Sequence, residues 1–162
     1  MSATSLQPRL ATPADAVAIH ALERHFPGDR MQLRAIRRLL RVPSARIWVL
    51  GRGNELVAAL VLLLRRNSRH ARIYSLVVAP EARGRGLAQR LLDTAETFAR
   101  TTRLSSLTLE VRADNQPARN LYRQRGYSIE SELPDYYDDG APALRLRLRF
   151  EEAAPPDNRS GT

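Results

Sequence analysis

Apolar and polar positions recur along this chain in two rhythms, and the switches between them mark out its elements. Thr12-Pro13-Ala14-Asp15 reads as a helix start, with threonine as N-cap, proline in the first turn and an acid near the positive dipole end. The predicted helix runs to Arg24, where His25-Phe26-Pro27-Gly28 breaks it. Asp29 caps a second helix that continues to Arg41 and stops at Pro43. There Leu33, Ile36 and Leu40 make a core face, while Arg34, Arg37, Arg38 and Arg41 make a basic stripe at helical spacing.

The rhythm then changes to period two. Arg46 to Leu50 and Glu55 to Leu64 flank Gly51-Arg52-Gly53-Asn54, a hairpin turn. Arg66 to His70 makes a second turn, and Ile73 to Val78 a third strand that Pro80 ends. These three strands are expected to form an antiparallel meander. After Gly86, the positions Leu87, Leu91, Leu92, Ala95, Phe98 and Ala99 return to helical spacing. Leu107, Leu109 and Val111 next alternate with Thr108 and Glu110. Asp114-Asn115 caps a short helix, Pro117 to Arg125, that Gly126 terminates. Strands over Tyr127 to Glu132 and Ala143 to Phe150 follow. In the latter Leu144, Leu146, Leu148 and Phe150 face one way and Arg145, Arg147 and Arg149 the other. Glu151 to Thr162 is polar and proline-rich and reads as a disordered tail behind a domain over residues 1–150. This order predicts an α+β or mixed α/β fold built on a sheet.

Composition narrows the classes. With 162 residues, 43% hydrophobic and 27% charged, the chain reads as one soluble globular domain. The absence of cysteine excludes a disulfide scaffold, a cysteine nucleophile and a thiolate metal site. His20, His25 and His70 are scattered without metal-ligand spacing, so no metal is expected. The apolar run ending at Leu64 falls far short of the roughly 20 residues a membrane span needs. Met1 to Ser5 shows no charged region followed by an apolar one, so a cytoplasmic location is expected. Basic residues number 26 against 17 acidic, giving a net charge of +9, and every basic residue is arginine. Such a balance suits a polyanion such as nucleic acid, and equally an anionic cofactor.

The most informative stretch is Val77-Val78-Ala79-Pro80-Glu81-Ala82-Arg83-Gly84-Arg85-Gly86-Leu87-Ala88. Two glycines between a strand and a long helix let residues 83 to 88 turn their backbone N–H groups outward at the helix N-terminus, a nest suited to a pyrophosphate. A Cβ at either glycine would hinder close approach of the phosphates. No lysine-serine or lysine-threonine follows, so this is not a P-loop, nor is it the GxGxxG dinucleotide fingerprint.

Arg83-x-x-Gly86-x-Ala88 matches the Q/R-x-x-G-x-G/A motif of the GNAT superfamily of acetyl-CoA-dependent N-acetyltransferases. Leu109-Glu110-Val111-Arg112-x-Asp114-Asn115-x-x-Ala118-x-x-Leu121-Tyr122-x-x-x-Gly126-Tyr127 resembles the L-E-V-R-x-x-N-x-x-A-x-x-L-Y-x-x-x-G-F block of its RimI-like branch. Tyr136-Tyr137-Asp138-Asp139-Gly140-x-x-Ala143-Leu144 resembles that branch's Y-Y-x-D-G-x-D-A-L, with Pro142 where an aspartate is usual. The resemblance spans residues 9 to 150.

It implies a central, mostly antiparallel twisted sheet with helices on both faces, and a set of roles. Backbone amides of Arg83, Gly84, Arg85, Gly86, Leu87 and Ala88 would bind the pyrophosphate of acetyl-CoA. Leu76 and Val78 would pair with its pantetheine arm, and Asn115 would hold the cofactor side of the cleft. Tyr122 would protonate the departing thiolate, Glu110 would act as general base directly or through water, and Tyr136, Tyr137 and Asp138 would border the acceptor. As a bare residue Asn115 reads as a helix cap, and it can serve both ends. The chemistry suits these roles. Deprotonating the amine at pH 7 costs about 4–5 kcal/mol for a lysine side chain and only about 1 kcal/mol for an α-amino group.

The implied function is acetyl transfer from acetyl-CoA to a primary amine by direct attack in a ternary complex. A protein N-terminus or lysine is favoured as acceptor over a small amine. From another class, a non-catalytic basic nucleic-acid- or ribosome-binding module stands as the alternative, though nucleic acid is not the favoured partner. Monomer and homodimer both stay open, and no membrane partner is expected. One charge feature stands out. The 19 residues between Arg125 and Arg145 hold Glu130, Glu132, Asp135, Asp138 and Asp139 and no basic residue. This acidic window is expected to attract a cationic amine, while arginines elsewhere favour the anionic cofactor.

Overall fold

A computed structural model describes residues 7–25, 30–52 and 55–151. The first strand, β1 (Arg9–Leu10), pairs antiparallel with Val49 and Trp48 at the sheet edge. It was not expected, because two residues are too few to show an alternation. Thr12 and Pro13 start a helical stretch as predicted, but its first turn, Pro13–Asp15, is 3-10, and α1 (Ala16–Glu23) follows. Asp15 holds that turn by accepting from the Thr12 backbone N–H at 2.7 Å and from both terminal nitrogens of Arg9 at 2.9 Å. The second helix, α2 (Leu33–Leu39), is shorter than predicted and takes Gln32 as its N-cap. The expected cap, Asp29, lies outside the described residues. Arg34, Arg37, Arg38 and Arg41 are all exposed.

The predicted meander is present as β2 (Ala45–Arg52), β3 (Glu55–Leu64) and β4 (His70–Val78), each antiparallel to the next. Of the turn between β2 and β3, Gly53 and Asn54 lie outside the described residues. Gly51 sits at a register shift with φ of 138°, where a Cβ would collide with the Glu55 carbonyl. β4 begins at His70, inside the stretch read as a turn, because His70, Ala71 and Arg72 pair in parallel with the start of β5 (Ser106–Arg112). Between them α3 (Leu87–Thr101) buries Leu87, Leu91, Leu92, Ala95 and Ala99, each leucine contributing about 1.5–3 kcal/mol.

Asn115 caps α4 (Gln116–Gln124), whose first turn accommodates Pro117 without loss because its N–H would be unpaired there. β6 (Ser128–Leu133) and β7 (Ala143–Arg149) complete one sheet in the order β1-β2-β3-β4-β5-β7-β6, and only β4 and β5 run parallel among the described strands. Ala58, Ala59, Leu60, Val61 and Leu62 are all fully buried although successive residues point to opposite faces, so β3 is covered on both sides. α1 and α3 both pack on it. The fold is therefore mixed α/β, as expected. Among the described residues no helix is long and apolar enough to cross a membrane.

Candidate active site

The site begins where the sheet comes apart. β4 and β5 pair only through His70–Ser106, Ala71–Leu107 and Arg72–Thr108, and beyond Arg72 they diverge. The divergence coincides with a bulge. Val61 pairs with Ser75 and Leu62 with Ile73, leaving Tyr74 as an extra residue on β4, and a bulge bends its strand away from its former line. A cleft of about 720 Å³ opens between Ile73–Val78 and Leu109–Arg112. The β4 edge facing it has no strand partner there, so an extended chain can add to it as another strand would.

One end of the cleft is closed by the Arg83-Gly84 segment. Gly84 and Gly86 adopt φ of 80° and 74°, left-handed values that a side-chain-bearing residue takes only with strain. A Cβ placed on either would meet nothing within 4 Å, so the space above the loop is open. Gly84, Arg85 and Gly86 donate to no backbone carbonyl among the described residues. The first N–H groups of α3 add further donors without helical partners. The loop therefore fits a phosphate-bearing group, and it needs no lysine to do so.

Tyr122 comes from α4. Asn115 fixes the start of that helix, its side-chain oxygen accepting from the Ala118 N–H at 3.2 Å. The far end is fixed by Arg125, which donates to Glu96 of α3 at 2.9 and 3.1 Å and pairs with Asp93. The Tyr127 hydroxyl donates to the same Glu96 at 3.3 Å, and its ring meets Tyr122 edge-on with centroids 5.5 Å apart. Tyr122 is thus held between two anchored helix ends with its ring buried. Burial first, and Tyr137 second, push its phenol well above the ordinary tyrosine value. Tyr137 lines the cleft from the β6–β7 connection, beneath the Arg112 guanidinium 4.9 Å from its ring.

Glu110 on β5 lines the cleft too, but not as a free carboxylate. One oxygen accepts from Arg72 Nε at 3.0 Å, the other from Arg145 Nε and Nη2 at 3.2 and 3.1 Å. Its side chain is only 7% exposed. The cross-strand register sets Arg145 directly opposite Glu110. That pairing was hidden from the sequence because it requires the register of two strands 35 residues apart.

Leu76, Val78, Arg83, Gly84, Glu110, Asn115, Tyr122 and Tyr137 all line one cleft. Arg85 and Gly86 are exposed on the loop, Leu87 turns into the core, and Ala88 lies in the first turn of α3. Tyr136 is 44% exposed and stacks edge-on against Tyr137 at 5.0 Å. Asp138 lies on the β6–β7 connection without lining the cleft. Within the acidic window, Glu130 is held by Arg147 and Asp139 by Arg112, and both carboxyls are lowered by those partners. Glu132, Asp135 and Asp138 have no ion pair among the described residues.

One buried acid went unnoticed in the sequence. Glu23, at the end of α1, is 1% exposed and accepts from the Ser75 hydroxyl at 3.1 Å, while its other oxygen has no partner among the described residues. Burial raises its carboxyl, and the Ser75 hydroxyl and Met31 N–H oppose that shift. Ser75 and His25 line the cleft, so Glu23 sits directly behind its wall. Among the described residues no cluster could hold a metal ion.

A mixed sheet thus splays beside a glycine loop and a helix N-terminus, leaving a cleft with room for a phosphate-bearing group at one end. The sequence model of the Acetyltransferase (GNAT) family matches residues 15–127, and the chain belongs to that family. An N-alpha-acetyltransferase of Caenorhabditis elegans is 36% identical over 91 residues, covering 55% of this chain and 50% of the relative. A spermidine N(1)-acetyltransferase of Escherichia coli strain K12 is 37% identical over 94 residues, covering 56% and 50%. The chain spans about half the length of the curated relatives it matches. Among solved structures, the ribosomal-protein-S18-alanine N-acetyltransferase of Escherichia coli superposes with a TM-score of 0.82 over 93% of this chain and 97% of its own. At 20% identity that likeness is one of fold.

Proposed function

We propose that this chain is an N-acetyltransferase of RimI-like type that moves the acetyl group of acetyl-CoA to a protein N-terminal α-amino group or lysine. The observation that carries the reading is the convergence of a phosphate-fitting loop, an unpaired strand edge and the Tyr122 phenol on one cleft. Acetyl-CoA, when bound, supplies the acetyl group as an activated thioester. The amides of residues 83–88 hold its pyrophosphate, and the free edge of β4 at Leu76 and Val78 holds its pantetheine arm. Asn115 holds the same side of the cleft while capping α4.

The amine attacks directly, in a ternary complex. It must first lose a proton, and Glu110 takes that proton through water, since both its oxygens already accept from guanidiniums. Tyr122, protonated because burial raises it, donates to the departing thiolate. Orientation of the two substrates in one cleft supplies the remainder of the rate. The N-alpha-acetyltransferase relative favours a protein acceptor, and the spermidine acetyltransferase relative keeps a small amine as the second reading.

A thiol-release assay with acetyl-CoA against N-terminal peptides, lysine peptides and spermidine tests this. Release with α-amino or lysine peptides, with the acetyl group found on that amine by mass spectrometry, is expected. Release with spermidine alone assigns the small-amine reading, and no release with any amine overturns the proposal.

A further inference from the structure

Glu110 is a wall between two hollows. On its far side from the cleft lies a basin of about 580 Å³, bounded by the β3–β4 turn and the exposed face of β5 and β7. Four guanidiniums line it, those of Arg65, Arg72, Arg145 and Arg147, against two carboxylates, Glu110 and Glu130. Arg147 is used up internally, donating to Glu130 at 2.9 and 3.1 Å and to Ser106 at 2.6 Å. Arg72 and Arg145 share the single carboxylate of Glu110. The guanidinium of Arg65, exposed on the turn, has no ion pair or hydrogen bond among the described residues. The basin is thus net positive, beside a group assigned to the transfer reaction.

We infer that this basin is a subsite for a carboxylate of the acceptor, so that the amine delivered to the cleft belongs to an acidic peptide N-terminus. The inference rests on the transferase reading above and names its substrate class. Carboxylate rather than ammonium or apolar side chain follows from the guanidinium excess. The basin already demonstrates the matching geometry, since Arg72 and Arg145 hold a carboxylate at 3.0 and 3.1 Å. Guanidiniums recognise carboxylates through directed, charge-assisted hydrogen bonds, and in a partly enclosed hollow these are stronger than on an open surface. An incoming carboxylate on Arg65, Arg72 and Arg145 also competes with Glu110 for the same donors. It loosens the clamp on Glu110 as the acceptor arrives. The acidic window on the β6–β7 connection and the arginine basin would then read the two charges of one acceptor, its ammonium and its side-chain carboxylates.

The full chain is assayed with acetyl-CoA and two peptides that differ only in carrying glutamates or glutamines after a free N-terminal residue. A dye-labelled glutamate peptide, already N-acetylated so that it cannot react, reports binding by fluorescence anisotropy. The glutamate peptide should show a kcat/KM about tenfold above the glutamine peptide. Arg65→Ala should shrink that ratio and weaken the anisotropy binding in step. Arg37→Ala, an equal loss of charge on α2, should leave both unchanged. Equal kcat/KM for the two peptides, or equal losses from Arg65→Ala and Arg37→Ala, would overturn the inference. So would Arg65-dependent capture of an RNA oligonucleotide with no preference between the peptides. If no peptide is acetylated at all, the protein-acceptor reading fails, and the anisotropy arm still decides whether the basin takes a carboxylate.

Discussion

In the proposed mechanism Tyr122 concentrates the chemistry in a single hydroxyl. Its ring packs edge-on against Tyr127, and its phenol is raised by burial, so it keeps its proton at neutral pH. Tyr122→Phe keeps the ring and removes the proton. It should lower kcat about a hundredfold, within the range found for general acids, while the KM for acetyl-CoA stays within about twofold. An unchanged kcat would remove Tyr122 from the mechanism. Glu23 makes a different prediction. Its folded carboxyl is raised above its ordinary value of 4.5, so the folded state binds the extra proton more tightly than the unfolded chain does. Its contribution to stability is full below that ordinary value and is lost as pH rises through the raised one. Asp15, lowered by Arg9, acts in the opposite sense at lower pH. The urea midpoint of wild type minus that of Glu23→Gln should therefore fall with rising pH across the window above 4.5. A difference that stays flat across it would show that Glu23 is not protonated more readily in the fold.

At the level of elements, α4 shows how a short helix becomes a precise mount. Nine residues would not hold a helix by themselves, and here Asn115 fixes one end while Arg125 on Glu96 fixes the other. Asn115→Ala should cost about 1 kcal/mol, lowering Tm by roughly 2–4 °C. Because the same helix carries Tyr122, kcat should fall with it. A thermal scan and a kcat measurement on one preparation check both, and a drop in kcat without any change in Tm would point to a ligand contact instead of a cap. This helix was readable in the sequence, because Asp114-Asn115, Pro117 and Gly126 are local signals. So were the meander and α3, whose periodicities are long. The short β1 was not, because a two-residue edge strand carries no period. The clamp on Glu110 was not either, since Arg72, Glu110 and Arg145 lie on three strands and meet only once their registers are known. The parallel pairing that precedes the splay, and the bulge at Tyr74 that accompanies it, are likewise consequences of pairing rather than of composition.

Across the whole molecule the arginines sort into distinct surroundings. Arg34, Arg37, Arg38 and Arg41 stand exposed around α2, whereas those of β4 and β7 are drawn into pairs beside the cleft. The acidic window is correspondingly smaller in effect than its formal charge, because Arg147 and Arg112 engage Glu130 and Asp139. What the fold does with these charges is to border one cleft with a phosphate-fitting loop, a buried phenol and a clamped carboxylate. Direct transfer between two substrates held there together is the central claim, and initial velocities with acetyl-CoA and an acceptor peptide varied together test it most directly. Double-reciprocal lines that intersect, with thiol released only when both substrates are present, are the predicted result. Parallel lines, with acetyl group retained on the protein when the acceptor is withheld, would contradict it.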